Sequence, residues 1–153
     1  MNLAQQYSHH RAVEELQEKS ILSEILSLPE SAEVAVCPKA TPQIKAYYQR
    51  RIRELGWAMR PKVHDDHGLT INAMKSRVAL TVQTGNVTRA FYDLMKFQVM
   101  YLNNRIDVAA LILPTQAAAE TLGDNISDYA RVSDEIRLFR HVITVPCLLV
   151  AFQ

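Results

Sequence analysis

The stretch Ile71-Asn72-Ala73-Met74-Lys75-Ser76-Arg77-Val78-Ala79-Leu80-Thr81-Val82-Gln83-Thr84-Gly85-Asn86 carries the reading of the fold. Leu69 to Met74 and Arg77 to Gln83 predict the arms of a β-hairpin closed by Lys75-Ser76. Side chains alternate across a strand, so Val78, Leu80 and Val82 share one face of the second arm and Ala79, Thr81 and Gln83 the other. The first set is apolar throughout and belongs to a core. The second ends in polar groups, and chemistry is expected there. Asn86 stands where it can cap a helix from Val87 to about Asn103, with Phe91, Leu94, Met95 and Leu102 facing inward. Asp107 to Leu113 then runs almost without a polar residue to Pro114, as in a strand covered on both faces.

The rest of the chain extends this α/β alternation. Ala12 to Leu28 is acidic first and apolar later, which predicts a helix ended by Pro29. Glu33 to Cys37 reads as a short strand. Thr41 is the expected N-cap of a helix with Pro42 at its first position; Ile44, Tyr47, Tyr48, Ile52 and Leu55 form its buried stripe, and Gly56 its left-handed end. Trp57 to Val63 predicts another strand, Ser133 to Phe139 a helix, and Val142 to Ala151 a terminal strand interrupted at Pro146. Together these give an α/β/α sandwich around a central mixed sheet, as one domain over residues 1–153.

Composition narrows the function classes. A chain of 153 residues can bury roughly 70% of its unfolded surface without a disulfide or metal staple. Seventeen basic against sixteen acidic residues exclude a uniformly basic nucleic-acid coat and an acidic tail. Cys37 and Cys147 stand far apart with no Cys-x-x-Cys or Cys/His cluster, so both are expected to be buried thiols in a reducing compartment. Met1 to His10 lacks the apolar centre of a secretory signal, and no apolar run approaches the roughly 18 residues of a membrane span. The expectation is a cytoplasmic protein with no membrane partner.

Charge is nevertheless polarised. Lys45, Arg50, Arg51, Arg53, Arg60 and Lys62 face the single acid Glu54 in their segment, whereas Glu120 to Glu135 holds five acids and one arginine. The basic segment is a candidate phosphate-contacting surface; a solvated helix face explains the same pattern. His64-Asp65-Asp66-His67 contains metal-ligand residue types, but it falls between two expected strands before Gly68, which reads equally as a polar turn. Arg89, Asp93 and Lys96 lie on one side of the helix after Asn86 and can pair with one another. There is no Gly-rich phosphate loop and no Gly-x-Ser-x-Gly elbow, so nucleotide hydrolysis and esterase chemistry have no support.

Ile71-Asn72, Ser76 to Gly85, the helical stretch Phe91-Tyr92-Asp93-Leu94-Met95-Lys96-Phe97 and Ile106-Asp107-Val108 together resemble the BglII-like type II restriction endonucleases of the PD-(D/E)xK superfamily. The resemblance spans roughly Leu55 to Phe152 and includes Gly123 and Tyr129. It implies a restriction-endonuclease-like sandwich, double-stranded DNA as partner, a homodimer, and Mg²⁺ held by an Asp, a Glu and a Gln. Residue by residue, the Asp falls on Asn72, the Glu on Thr81 and the Gln on Gln83. Two anionic ligands are therefore replaced by a neutral amide and a hydroxyl, although phosphodiester cleavage through a hard cation needs anionic oxygens.

Three functions follow as expectations. The first is a catalytically degenerate member without a cofactor, which binds DNA or serves as the inactive partner in a restriction or phage-defence system. Its phosphate contacts would come from the six basic residues between Lys45 and Lys62. The second is an active Mg²⁺-dependent endonuclease whose missing charge comes from Asp65, Asp66 or Asp93. The third is a protein-interaction module indifferent to nucleic acid, with Glu120 to Glu135 as its partner surface.

Overall fold

The computed structural model describes residues 1–31 and 33–153. Its elements are β1 (Leu3–His9), α1 (Ala12–Glu18), α2 (Leu22–Ser27), α3 (Thr41–Glu54), β2 (Ala58–Met59), β3 (Ala73–Lys75), β4 (Val78–Val82), α4 (Val87–Leu102), β5 (Val108–Pro114), α5 (Gln116–Leu122), α6 (Tyr129–Leu138) and β6 (Cys147–Phe152). The sheet order is β1-β6-β5-β4-β3-β2. β4, β5 and β6 are parallel, while β1 joins β6, β3 joins β4 and β2 joins β3 antiparallel.

Alternation along the three parallel strands divides the interior in two. Val78, Leu80, Val108, Ala110, Ile112, Leu148 and Val150 pack against Leu16, Ile25, Ile44, Tyr48 and Ile52 of α1, α2 and α3. Ala79, Ala109, Leu111, Leu113, Leu149 and Ala151 pack against Ala90, Leu94 and Phe97 of α4 and Val132 and Ile136 of α6. All seven residues of β5 are buried, which explains its unbroken apolar run. The α/β/α sandwich with a mixed sheet is thus as expected.

Several boundaries differ from the expectation. The helix over Ala12 to Leu28 is two helices, because Ser20 takes φ +58° and Ile21 N–H donates back to Leu16 O, closing α1 in a Schellman turn. Glu33 to Cys37 forms no strand: the edge beside β6 is taken by the unforeseen β1, and the Met1 amino group ties the segment down through the Ser31 and Val34 carbonyls. Only Ala58–Met59 of Trp57 to Val63 forms a strand; past Arg60, at φ +53°, the pairing continues as separate bonds, Arg60 N–H to Asn72 O, Ile71 N–H to Pro61 O and Val63 N–H to Leu69 O. Thr41 lies inside the first turn of α3, capped by Ala40 without a side-chain bond. α6 opens at Tyr129, capped by Asp128, and α5 precedes it. Leu102 is 70% exposed and Met100 takes the inward position. Cys37 is exposed, and only Cys147 is buried.

The hairpin turn is Ser76–Arg77 instead of Lys75–Ser76. Lys75 pairs with Val78, leaving a two-residue loop, and both loop residues have positive φ, as a type I′ turn requires. Neither is Gly or Asn, so tertiary contacts hold the turn. Arg77 forks onto the Asp107 carboxylate and reaches Asn104 O. Lys19 binds the same carboxylate at 2.7 Å, so α1, the hairpin and the start of β5 are fastened at one point.

Candidate functional site

A cleft of about 500 Å³ opens where β3 begins and β4 ends, between α3 on one sheet face and α4 on the other. The strands supply Asn72, Thr81, Val82 and Gln83; α3 supplies Lys45, Tyr48 and Gln49; α4 supplies Arg89, Tyr92, Asp93 and Lys96. The alternation that places Ala79 against α4 points Thr81 and Gln83 the same way, one and two steps nearer the strand end.

Each polar group has a defined state. Asn72 Oδ1 accepts from Val82 N–H at 2.8 Å, fastening the base of β3 to the end of β4. The Gln83 side chain is buried; its Nε2 donates to Asp93 Oδ2 at 2.7 Å and its Oε1 accepts from Gly85 N–H at 2.8 Å. A Cβ at position 85 would stand 2.9 Å from that Oε1, so a larger residue here would push the Gln83 amide out of its bond to Gly85 N–H. Asp93 Oδ1 accepts from Lys96 Nζ at 2.9 Å, and the same ammonium lies over the Tyr92 ring, 4.7 Å from its centroid. The hydroxyls of Thr81 and Tyr48 are buried without a hydrogen-bond partner among the described residues. Burial raises the Tyr48 phenol well above its ordinary range, so it remains a neutral donor.

Asn72, Thr81 and Gln83 therefore share one cleft, and Asp93 joins them. Asp65 and Asp66 do not line it. Asp65 is on the outer turn, its side chain 84% exposed and paired with Arg105 at 2.8 Å, which holds its carboxyl below the usual range. Asp66 sits beside His64 in the same turn, where its backbone N–H donates to His64 Nδ1. The expected basic surface divides as well. Lys45 faces the cleft, but Arg50 pairs with Glu33 and Arg51 with Glu54 around a separate depression on α3. Arg53, Arg60 and Lys62 are exposed outside the cleft. Arg89 and Lys96 are the cleft cations that sequence reading took for salt-bridge partners only; their spacing of four and three from Asp93 was the available signal.

As a Mg²⁺ site this donor set does not fit. Mg²⁺ takes near-octahedral oxygen ligands, among them anionic ones. Here the Asn72 and Gln83 oxygens already accept backbone protons, Thr81 offers a neutral hydroxyl, and both Asp93 oxygens are engaged, one by an ammonium. Among the described residues, no three His, Cys, Asp or Glu side chains converge on a metal position.

The sequence model of the family described as restriction endonuclease BglII/BglIII matches residues 4–152. The chain belongs to this family. Among solved structures, it is similar to restriction endonuclease BglII complexed with a DNA 16-mer: TM-score 0.83, 14% identity, covering 100% of this chain and 78% of that one. It is also similar to free BglII: TM-score 0.72, 16% identity, covering 100% and 80%. No curated protein sequence matches the chain. At these identities the structural likeness speaks for the fold, and the BglII/BglIII family member here carries that fold with its own set of cleft residues.

Proposed function

We propose that this BglII/BglIII family member binds double-stranded DNA without cutting it, on its own or as the inactive partner in a restriction or phage-defence complex. One observation carries the reading. Where the family resemblance places the metal-binding Asp and Glu stand Asn72 and Thr81, in a cleft whose remaining carboxylate, Asp93, is neutralised by Lys96. Removing anionic groups from a groove also removes their repulsion of phosphate, and Lys45, Arg89 and Lys96 against Asp93 leave the lining with an excess of positive charge. Affinity without hydrolysis follows from that exchange. A homodimer and a cytoplasmic location belong to the same proposal; no helix among the described residues is long and apolar enough to cross a membrane.

The test is a labelled duplex at low salt, with products resolved after incubation in Mg²⁺ or Mn²⁺. Retention that weakens as salt rises, with no cleavage product, is the expected result. Loss of all retention at low salt, or a clean product in Mg²⁺, overturns the proposal. Asp93 is the one alternative acid that lines the cleft. A rearranged nuclease built on it would have to displace Lys96 first, so its signature would be cleavage that rises in Lys96→Met.

A further inference from the structure

We infer that the open edge of β1 pairs antiparallel with β1 of a second copy of this chain, joining two sheets into one about a two-fold axis at Gln6, with Glu30 of each copy against Arg11 of the other. The inference deepens the homodimer of the reading above, rests on it, and gives that dimer a surface.

β1 is the outermost strand of the sheet, and among the described residues no backbone hydrogen bond joins Gln5, Gln6, Tyr7 or Ser8 to anything but β6. Such an edge offers free N–H and C=O groups to another strand, and proteins ordinarily guard it with charge, proline or brevity. The opposite edge is guarded: β2 has two residues, and the exposed Arg60 and Lys62 follow it. β1 has seven residues with no acid, lysine, arginine or proline, and its Gln5 and Gln6 are exposed. Its one irregularity, the register shift between Leu3 and Gln5, lies at the end that Glu30 covers by accepting from Leu3 N–H.

The strand also fits itself. With Gln6 opposite its own copy, Gln5 faces Tyr7 of the partner subunit and Ala4 faces Ser8 of the partner subunit, so no like charges meet. Leu3 then lies opposite His9 of the partner subunit, which brings Arg11 of the partner subunit, in the turn just beyond, toward Glu30; symmetry supplies the same pair a second time. Arg11 is available for it: its side chain is 81% exposed and its contact with Glu14 is a loose 3.8 Å. Because each copy has one unguarded edge, the pairing closes at two copies. The cleft lies at β3 and β4, toward the other end of the sheet, and stays uncovered.

Light scattering over a concentration series reads the association, with retention of a labelled duplex measured in parallel. The wild type should pass from the monomer mass to twice that mass as concentration rises. Gln6→Lys, at an exposed position, sets two ammonium groups opposite each other and should abolish the dimer. Arg11→Glu and Glu30→Arg, each alone, turn two attractions into two repulsions and should weaken association about tenfold. An equimolar mixture of these two variants restores both pairs and should dimerise as the wild type does; a role of either residue within its own chain gives no such rescue. In a Cys37→Ser background, which removes the exposed native thiol, Gln6→Cys should form a disulfide-linked dimer on oxidation, since facing residues of antiparallel strands stand within disulfide reach. A dimer that Gln6→Lys leaves intact and that mixing does not rescue overturns the inference while the homodimer stands. A wild type that stays monomeric throughout overturns both, and duplex retention then decides the DNA-binding reading by itself.

Discussion

Asn72 and Thr81 were singled out by the family resemblance, while strand alternation alone was enough to put Thr81 and Gln83 on one face. The partner of Asn72 was not legible, since Val82 N–H reaches it through a contact that sequence distance does not reveal, whereas the Asp93–Lys96 pair follows from its spacing of three. Asn72→Asp with Thr81→Glu would return both anionic ligands while keeping an oxygen for Val82 N–H. The expected outcome is Mg²⁺-dependent duplex cleavage absent from the wild type, read as product on a gel. Another consequence at this scale concerns His9. Its Nε2 donates to Ile143 O at 2.8 Å, and burial, partly opposed by that bond, lowers its pKa below the ordinary 6.5. The unfolded chain then takes up a proton before the folded one does. The contribution is complete above the ordinary imidazole range and declines as pH falls through it. Thermal melts at about pH 7.5 and about pH 5.5 should show a drop in midpoint that is smaller in His9→Gln.

A closing glycine and a capping amide marked the ends of α3 and α4 in the sequence, whereas α5 was not expected although Gly123 closes it. Gly56 closes α3 at φ +78° as expected, and Asn86 caps α4 by accepting from Thr88 N–H. Ser20 closes α1 in the same left-handed geometry without a glycine to announce it, so one helix was expected where two exist. β1 escaped notice because Gln5, Gln6 and Ser8 leave little apolar signal on an edge strand whose partner lies at the opposite end of the chain. Gln98 shows how tertiary contact overrides pattern. It is buried on α4 because its Oε1 accepts from Thr144 and Val145 N–H and its Nε2 donates to Thr144 Oγ1. Gln98→Leu should destabilise by about 2 kcal/mol through backbone donors left unpaired, measured by urea unfolding. Asp107 is the corresponding fastening for the hairpin. Its bond from Arg77, aided by Lys19 against the effect of burial, lowers its pKa to about 2, so the stability it adds is present above the usual carboxylate range and is lost as pH falls toward 2. The group is a third exposed and water screens it, so Asp107→Asn should flatten the acid limb of the stability curve by a modest amount.

Across the whole molecule, the parallel strands β4, β5 and β6 with helices on both faces were readable because their two apolar faces are written into consecutive residues. Leu111, at the centre of β5, packs toward α4 and α6 without exposure; Leu111→Ala should cost about 3 kcal/mol by leaving a cavity that the tightly paired strand cannot close. The cleft follows from this architecture: it lies where β3 begins and β4 ends, and Lys45 of α3 and Lys96 of α4 both line it. The central claim is that the inherited fold persists around a pocket that no longer suits a divalent ion. Mn²⁺ binding, read from the free-ion electron paramagnetic resonance signal during titration, tests it most directly. The wild type should leave the free Mn²⁺ signal undiminished, and the variant combining Asn72→Asp with Thr81→Glu should take up Mn²⁺. Uptake by the wild type, with paramagnetic broadening centred on Asn72, Thr81 and Gln83, would contradict the account.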